Sequence, residues 1–277
     1  MAKIGNGYGS ECHLMRWMGR HRNLFDQSVS ESVGRPGSPI HWLDFNFAPN
    51  NPWPDAELKG LEFLYDRPGL KSKWQKFWPT QGGVQNWDAV GWIGKGANQE
   101  LLLLEAKSHV KEMTTNCGAT SATSIEKITS AFDEVKRNLG ARPDSDWFHK
   151  YYQAANRMAT LYFLQREDVP AHLIFLDFLG DRVPGKQCPQ TPACHQQSMG
   201  TSRPHRQPSF GRPSTQPLLA DIHSFALIPV GFERFNHGCG NARRLNLYPH
   251  QLLREDQLPI VYAADVADAF FHRAMTG

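Results

Sequence analysis

The chain has 277 residues, of which 40% are hydrophobic and 21% are charged, a composition typical of soluble globular proteins. Its net charge of +3 is weak, so nucleic acid binding is permitted but would need a local basic surface. No apolar run approaches the roughly 20 residues of a membrane span, which argues against a membrane partner. Five cysteines, an odd number, and no secretory signal predict a reducing, cytoplasmic location. No linker clearly splits the chain, so we expect a single domain over residues 1–277.

The first predicted helix lies within residues 10–25. Leu14, Trp17 and Met18 would form its apolar face. The same segment carries a basic cluster that consists of Arg16, Arg20, His21 and Arg22. We interpret this cluster first as a solvated helix face. A helix that contacts phosphates is the alternative.

Proline-rich loops with one short strand near residues 41–47 come next. Asp55 is a candidate N-cap for a helix over residues 56–65, which would carry Glu57 and Glu62. Residues 71–78 then alternate lysines with aromatic residues. Such a segment can hold a nucleic acid strand by stacking and charge. Packing of the aromatic rings onto the domain is the favoured interpretation.

A predicted β-hairpin carries the most informative residues of the chain. Its first strand begins at Asp88, a glycine-rich turn covers residues 94–99, and its second strand ends in Glu105, an alanine and Lys107. A symmetric hairpin about this turn places Asp88 opposite Glu105, with the Cβ atoms roughly 4.5–5.5 Å apart. Glu105 and Lys107 share one face because side chains alternate along a strand. Provided that no bulge shifts the register, the two carboxylates and the lysine converge.

The second strand of this hairpin is continuously apolar before Glu105, with four leucines in a row. Such a run predicts a central strand that is buried on both faces. Charged side chains at its end need partners, because burying an unpaired charge costs free energy. We therefore favour a functional site. Two carboxylates and a lysine suit a divalent-metal centre that hydrolyses phosphodiesters. A surface hairpin with ordinary charged residues is the alternative.

Two helices are predicted after the hairpin. Thr123 and Glu126 match a capping box, and Gly140 stands where a C-cap glycine belongs, which predicts a helix over residues 123–139. A second helix is predicted over residues 147–166. It carries a polar stripe formed by Gln153, Asn156 and Thr160. We expect this stripe to be exposed, and a stripe that faces the hairpin carboxylates is the alternative.

The remaining elements complete a mixed α/β pattern. Strands are predicted over residues 171–178 and 224–230, the second at an edge or a strand end because it contains a proline. A final helix is expected over residues 256–275. The order of elements predicts an α/β fold with one mixed central sheet flanked by helices. Its core would cover about residues 55–180 and 220–277.

A long loop over residues 184–217 is rich in proline, glutamine and serine. This composition favours a disordered loop. A basic loop that contacts nucleic acid is the alternative. A zinc site could be assembled only from a loose set of residues: Cys188, Cys194, His195, His205, His237 and Cys239. We disfavour it because the first two cysteines are spaced more widely than zinc-binding pairs usually are.

Asp88, with Glu105 and Lys107 at the end of the next strand, resembles the metal site of the PD-(D/E)xK nuclease superfamily, also called restriction-endonuclease-like. The resemblance covers roughly residues 55–180 and includes the order of an acid-bearing helix, the hairpin, a helix and a strand. Residues 152–157 look like the polar helix that follows the motif in some branches. A tryptophan rather than a proline precedes Asp88, a departure that many branches share.

The resemblance implies that Asp88 and Glu105 bind Mg²⁺ or Mn²⁺ and that Lys107 is the catalytic lysine. Magnesium suits carboxylate ligands and retained waters, and it would lower the pKa of a bound water. Lys107 would position that water or stabilise charge on the phosphorus, which we prefer to a role as base because the carboxylates oppose a low pKa. The same resemblance implies further site residues, namely Glu57 or Glu62, with Glu57 slightly favoured, and Gln153.

The expected function is thus that of a metal-dependent endonuclease acting on nucleic acid, with DNA favoured over RNA. Family analogy also permits a homodimer. Three alternatives remain open. The chain could be a catalytically inactive nucleic-acid-binding module of the same fold, a hydrolase of a small phosphate ester, or a structural protein in which Glu105 and Lys107 form an ordinary ion pair.

Overall fold

The computed structural model describes residues 7–43, 57–80, 84–190, 222–227 and 260–261, the last two ranges by their backbone alone. The α-helices in these ranges are α1 (Ser10–Arg20), α2 (Arg22–Ser32), α3 (Pro68–Phe77), α4 (Ala122–Leu139) and α5 (Tyr152–Arg166). The strands are β1 (Ile40–Trp42), β2 (Leu58–Lys59), β3 (Asn86–Trp87), β4 (Ala89–Ile93), β5 (Glu100–Lys107), β6 (Ala171–Phe178), β7 (Ile222–Leu227) and β8 (Ile260–Val261).

Six of these strands form one mixed sheet in the order β1-β4-β5-β6-β7-β8. The first three strands are antiparallel neighbours, β5, β6 and β7 run parallel, and β8 is antiparallel to β7. Strands β2 and β3 form a separate antiparallel pair. Helices α1 and α2 pack on one face of the sheet, and α3, α4 and α5 pack on the other. The predicted mixed sheet flanked by helices is therefore confirmed.

Strand β5 lies at the centre of the sheet and is buried on both faces, as predicted. Leu101 and Leu103 pack into the core under α3, α4 and α5, whereas Leu102 and Leu104 pack under α1 and α2. All four leucines are 0% exposed, and each contributes on the order of 2 kcal/mol through its burial. Because side chains alternate, the odd-numbered residues at the end of β5 project toward the α3–α5 layer.

The hairpin register agrees with the prediction. Ala89 pairs with Leu104 at the open end of the β4–β5 ladder, which runs without a bulge. The same register continued by one residue places Asp88 opposite Glu105. At the turn, Gly94 has a φ of 99°, and a Cβ there would lie 2.8 Å from a backbone carbonyl oxygen of the turn. Only glycine satisfies both conditions, so this residue defines where the hairpin reverses.

The helix predicted over residues 56–65 is wrong in the part that the structure describes. The chain forms β2, which pairs with β3, and then a series of turns through residue 63. Gly60 adopts a left-handed φ of 51° and donates its N–H to the Gln85 carbonyl at 2.8 Å. The indole N–H of Trp87 donates back to the Gly60 carbonyl at 2.8 Å. These cross-strand bonds outweigh the weak local helix propensity.

The other helix boundaries agree in part. The first predicted segment is two helices, α1 and α2, which are separated by His21. Helix α5 begins at Tyr152 rather than residue 147, because residues 147–150 form a turn. Helix α4 matches its prediction and ends at Gly140 with a left-handed φ of 67°. No side-chain hydrogen bond caps its first turn, however, so the predicted capping box is wrong.

The basic and aromatic segment of residues 71–78 belongs mostly to α3, and its two residue types face opposite ways. Its rings are buried in the core: Trp74, Phe77 and Trp78. Its lysines are exposed: Lys71, Lys73 and Lys76. Trp74 lies edge-on to Phe163 of α5, with ring centroids 4.9 Å apart. The favoured interpretation, packing of the rings onto the domain, is confirmed.

The C-terminal strands differ from their predictions. Strand β7 begins two residues before the predicted strand over residues 224–230. Strand β8 falls within the helix predicted over residues 256–275, which is therefore wrong at these two residues. The rest of that helix, and the predicted loop beyond residue 190, lie outside the described residues. Within the ranges that the structure describes, no helix combines the length and apolar character needed to cross a membrane.

A buried carboxylate, Asp181, ties the start of α1 to the end of β6. Its Oδ2 accepts a hydrogen bond from the Gly9 N–H at 2.9 Å, and its Oδ1 accepts one from the Arg182 N–H at 2.7 Å. The His13 Nε2 lies 3.0 Å from the same Oδ1. Burial raises the pKa of Asp181, but the contact with His13 and the hydrogen bonds from the Gly9 and Arg182 N–H groups outweigh it and lower the pKa to about 2.

The low pKa of Asp181 predicts that the protein loses stability in acid. The unfolded chain takes up a proton at Asp181 near its ordinary pKa of 3.8, whereas the folded chain does so only near a pKa of about 2. The free energy of unfolding should therefore fall by about 2 kcal/mol between pH 4 and pH 2. Urea unfolding of wild type and Asp181→Asn across this range measures the effect. The variant should lose less stability than wild type on acidification, and equal losses would contradict the assignment.

Candidate active site

Asp88 lies at a bend between β3 and β4, where the chain passes from the small β2–β3 pair into the main sheet. Its Oδ2 accepts a hydrogen bond from the backbone N–H of Ala106 at 2.6 Å. This bond to a side chain extends the pairing of β4 with β5 by one residue beyond the last backbone pair. The carboxylate of Asp88 is thereby held between Glu105 and Lys107, the neighbours of Ala106 on β5.

Glu105 is 1% exposed, and both of its carboxylate oxygens are paired. Its Oε2 accepts a hydrogen bond from Nε of Arg157 at 2.8 Å and lies 2.7 Å from Nη2 of the same residue, and its Oε1 accepts from the ammonium group of Lys107. Burial raises the pKa of Glu105, but the positive charges of Arg157 and Lys107 outweigh it and hold the pKa below its usual value. Glu105 is therefore an ionised carboxylate in a buried position.

Lys107 lies on the same face of β5 as Glu105, as predicted, and 15% of its side chain is exposed. Burial lowers the pKa of Lys107, but the carboxylates of Glu105 and Asp88 outweigh it and raise the pKa above its ordinary value. The group is therefore a charged ammonium at neutral pH. This state suits electrostatic and positioning work and opposes a role as general base, in agreement with the preference drawn from the sequence.

The two carboxylates are close enough to influence each other. Burial and then the negative charge of Glu105 raise the pKa of Asp88 to about 7, against the opposing effect of Lys107. Within the described part of the chain, the Oδ1 of Asp88 accepts no hydrogen bond, and the residue is only half-buried. A half-buried carboxylate beside a buried, ionised one offers hard oxygen donors that fit a divalent cation, which Asp88 and Glu105 would hold. Magnesium is commonly bound by only one or two carboxylates.

Among the residues that the structure describes, no third histidine, cysteine, aspartate or glutamate side chain joins these two carboxylates in a group that could hold a metal ion. The fit to a cation thus rests on two carboxylates. Of the residues considered for zinc, only Cys188 is described, as a half-buried free cysteine, and the others lie outside the described ranges.

Glu57 and Glu62 do not lie on a helix, since the predicted helix is replaced by β2 and turns. Both are exposed. The Oε2 of Glu57 accepts a hydrogen bond from the Asn86 side chain at 2.7 Å. The β2–β3 register, continued by one residue, places Glu57 opposite Asp88, whereas Glu62 lies in a turn. Glu57 therefore remains the better candidate for a third acid, at the rim of the site and on a strand end instead of a helix.

The polar stripe on α5 is buried, so the expectation of an exposed stripe is wrong for two of its three residues. Asn156 is buried, and Thr160 is buried and accepts a hydrogen bond from the Gln85 side chain at 2.9 Å. Gln153 is half-buried, and its backbone N–H donates to the Thr115 hydroxyl at 2.9 Å. In the structure, the Gln153 side chain does not contact the carboxylates of Asp88 and Glu105. The auxiliary role of Gln153 stays a prediction.

Sequence reasoning missed Arg157, which lies on α5 and pairs with Glu105. Its Nη1 also donates to the Asn156 side chain at 2.7 Å, and its Nη2 donates to the Asn86 carbonyl. The guanidinium carbon lies 4.8 Å from the centre of the Trp87 ring. A signal was present, because Arg157 stands four residues after Gln153 and so extends the same polar stripe on the helix.

The site combines two facing carboxylates, a charged lysine and a buried arginine at the carboxyl end of a central strand. Comparison of the chain with protein-family models, curated proteins and solved structures finds no match in any of the three.

Proposed function

We propose that this chain is a metal-dependent nuclease of the restriction-endonuclease-like type that hydrolyses phosphodiester bonds. The observation that carries the proposal is the convergence of Asp88, Glu105 and Lys107 at the carboxyl end of β5, where Asp88 and Lys107 are half-buried. Mg²⁺ or Mn²⁺, when bound, would supply an activated water and neutralise charge on the phosphoryl group. Carboxylate oxygens and a hard cation match each other in this chemistry.

The fold supports the same proposal at a coarser level. A central hairpin carries the two acids, a helix follows it, and β6 then runs parallel to β5. This order agrees with the hairpin, helix and strand of the superfamily that the motif resembles. The acid-bearing first helix of that comparison does not support the proposal at residues 56–65.

Each residue of the site has a distinct role in the proposed reaction. Asp88 and Glu105 would hold the cation, and the Ala106 N–H fixes the orientation of the Asp88 carboxylate. Lys107 places a positive charge beside Glu105 at an edge that solvent reaches. There it would stabilise negative charge that develops on the phosphoryl oxygens, which is the kind of interaction that accelerates a reaction most.

The wider context of the proposal follows from the substrate class. The partner is a nucleic acid, with DNA favoured over RNA, and a homodimer would suit cleavage of both strands of a duplex. A cytoplasmic location agrees with the three described cysteines, Cys12, Cys117 and Cys188, which are all free.

Metal binding and cleavage, measured on the same samples, test the proposal. Calorimetric titration of Mg²⁺ and Mn²⁺ into wild type should show binding, and plasmid and single-stranded DNA should be cut in the presence of metal. Asp88→Asn, which keeps an oxygen for the Ala106 N–H, should weaken binding by about 10- to 100-fold or more and reduce cleavage to background. Asp66→Asn, at an exposed turn residue, is the matched control and should behave as wild type.

The other outcomes separate the alternatives. Binding of metal without cleavage of either DNA would favour a hydrolase of a small phosphate ester. No binding of metal by wild type would mean that the carboxylates are structural and that the nuclease proposal is wrong.

A second candidate, a catalytically inactive nucleic-acid-binding module, is favoured by one observation. Both oxygens of Glu105 are already paired with cationic side chains, a closed cluster that requires no metal. This candidate predicts DNA binding that is unchanged by a chelator and by Asp88→Asn, with no cleavage under any condition.

A further inference from the structure

Arg157 makes more contacts than neutralisation of Glu105 requires. Its Nε donates a hydrogen bond to Oε2 of Glu105, and its Nη2 lies 2.7 Å from the same oxygen in an ion pair. Its remaining bonds go to the Asn156 side chain and the Asn86 carbonyl, and its guanidinium group stacks on the Trp87 ring. The residue is 3% exposed. Arg157 is thus held in one place by groups that are independent of Glu105.

The position of these groups relates Arg157 to both carboxylates of the site. Asn86 and Trp87 form β3, which leads directly into Asp88. Glu105 lies on β5, and Arg157 itself is on α5. One buried side chain therefore connects the two chain segments that carry the two carboxylates, and it does so from the helix that covers them.

The way in which Arg157 binds Glu105 also distinguishes the two carboxylate oxygens. Oε2 is enclosed by the guanidinium group, whereas Oε1 lies on the side of Lys107. A planar guanidinium group presents Nε and Nη2 to Oε2 in one rigid fork, which a single ammonium cannot reproduce. Oε1 is the oxygen that Arg157 does not contact. It is paired with the Lys107 ammonium, whose place a bound cation would take.

We propose that Arg157 is a positioning residue of the metal site, which fixes the rotation of Glu105 and the spacing between the Glu105 and Asp88 segments. This inference rests on the proposed function, because it assumes that the two carboxylates bind a cation. Arg157 is buried and is not expected to touch the substrate. Its contribution is pre-organisation, since ligands held by neighbouring groups bind metal without having to be ordered first.

A conservative substitution separates positioning from simple charge neutralisation. Arg157→Lys keeps the positive charge but loses the fork that holds Oε2 and the planar group that stacks on Trp87. If Arg157 only neutralises Glu105, the lysine variant should bind metal like wild type. If it positions Glu105, metal affinity should fall although the charge is kept.

The test is calorimetric titration of Mg²⁺ and Mn²⁺ into wild type, Arg157→Lys and Arg166→Lys. Arg166→Lys is the same substitution on the same helix, at a residue whose ion pair with Glu134 is about one-third exposed. We expect dissociation constants about 10- to 100-fold higher in Arg157→Lys and unchanged in Arg166→Lys. Cleavage by Arg157→Lys should be partly restored by a raised metal concentration, which a catalytic defect would not allow.

Asn156→Ala is a second variant that leaves the Arg157–Glu105 pair in place and removes one brace of the guanidinium group. It should weaken metal binding by a smaller factor and keeps the test valid if Arg157→Lys does not fold. Wild-type affinity in folded Arg157→Lys, or in folded Asn156→Ala when the lysine variant fails to fold, would overturn the inference while the proposed function stands. Absence of metal binding by wild type would overturn both.

Discussion

Replacing Lys107 with methionine should reduce phosphodiester cleavage by about 10²–10³-fold while metal binding is kept. The carboxylates of Glu105 and Asp88 raise the pKa of Lys107, so the wild-type group is a fixed positive charge beside the site. Methionine retains most of the aliphatic stem and removes the ammonium group, with its charge and its hydrogen bond to Glu105. Loss of a cation next to the carboxylates should leave the affinity for Mg²⁺ equal or higher, because less repulsion opposes the metal.

The measurement combines single-turnover cleavage with calorimetry on the same preparation. Lys95→Met, at an exposed position on the turn of the same hairpin, is the matched control and should cleave at the wild-type rate. Lys107→Arg, which keeps the charge but changes the geometry, should fall between the two. Turnover by Lys107→Met at the wild-type rate would remove this residue from the reaction.

Replacing Glu105 with glutamine should lower the free energy of unfolding by about 3–5 kcal/mol. Glu105 is the common partner of Lys107 and Arg157, and both would remain in a largely buried position without their main counter-charge. This expectation depends on the ion pairs alone and holds whether or not the chain is a nuclease. Under the proposed function, the same variant should also lose metal binding, because it removes one of the two ligands.

Urea unfolding of wild type and variant measures this effect. Glu100→Gln, at the opposite end of β5, is the matched control. Its ion pair with Arg35 is more exposed and should contribute less than about 1 kcal/mol, and glutamine keeps an oxygen for its second partner, His172. A double variant, Glu105→Leu with Arg157→Met, should recover part of the lost stability, because an apolar pair leaves fewer charges buried and unpaired. If Glu105→Gln were no less stable than Glu100→Gln, the buried cluster would not hold the site together.

Local sequence patterns were sufficient to predict the hairpin and the convergence of its charged residues. The glycine-rich turn determined the register, and the alternation of side chains placed Glu105 and Lys107 on one face. Both features depend on residues close to each other in the chain, where geometry leaves few choices. The four leucines likewise predicted the central, doubly buried strand.

Features that depend on distant packing were not predicted. Residues 57–65 could not be identified as strand and turns, because β2 exists only through its pairing with β3. The polar stripe on α5 has the spacing of an exposed helix face, and its burial follows only from the position of α5 over the sheet. Helical spacing shows which residues share a face, but not which neighbour that face meets.

The sequence by itself therefore determined the type of sheet, the hairpin and the trio of Asp88, Glu105 and Lys107. Only the tertiary structure decided how the charges of that trio are balanced. Arg157 is 52 residues from Glu105 in the chain and reaches it because α5 packs across the sheet. The physical reason is that strand periodicity and turn geometry act over a few residues, whereas the partner of a buried charge is selected by whatever element covers it.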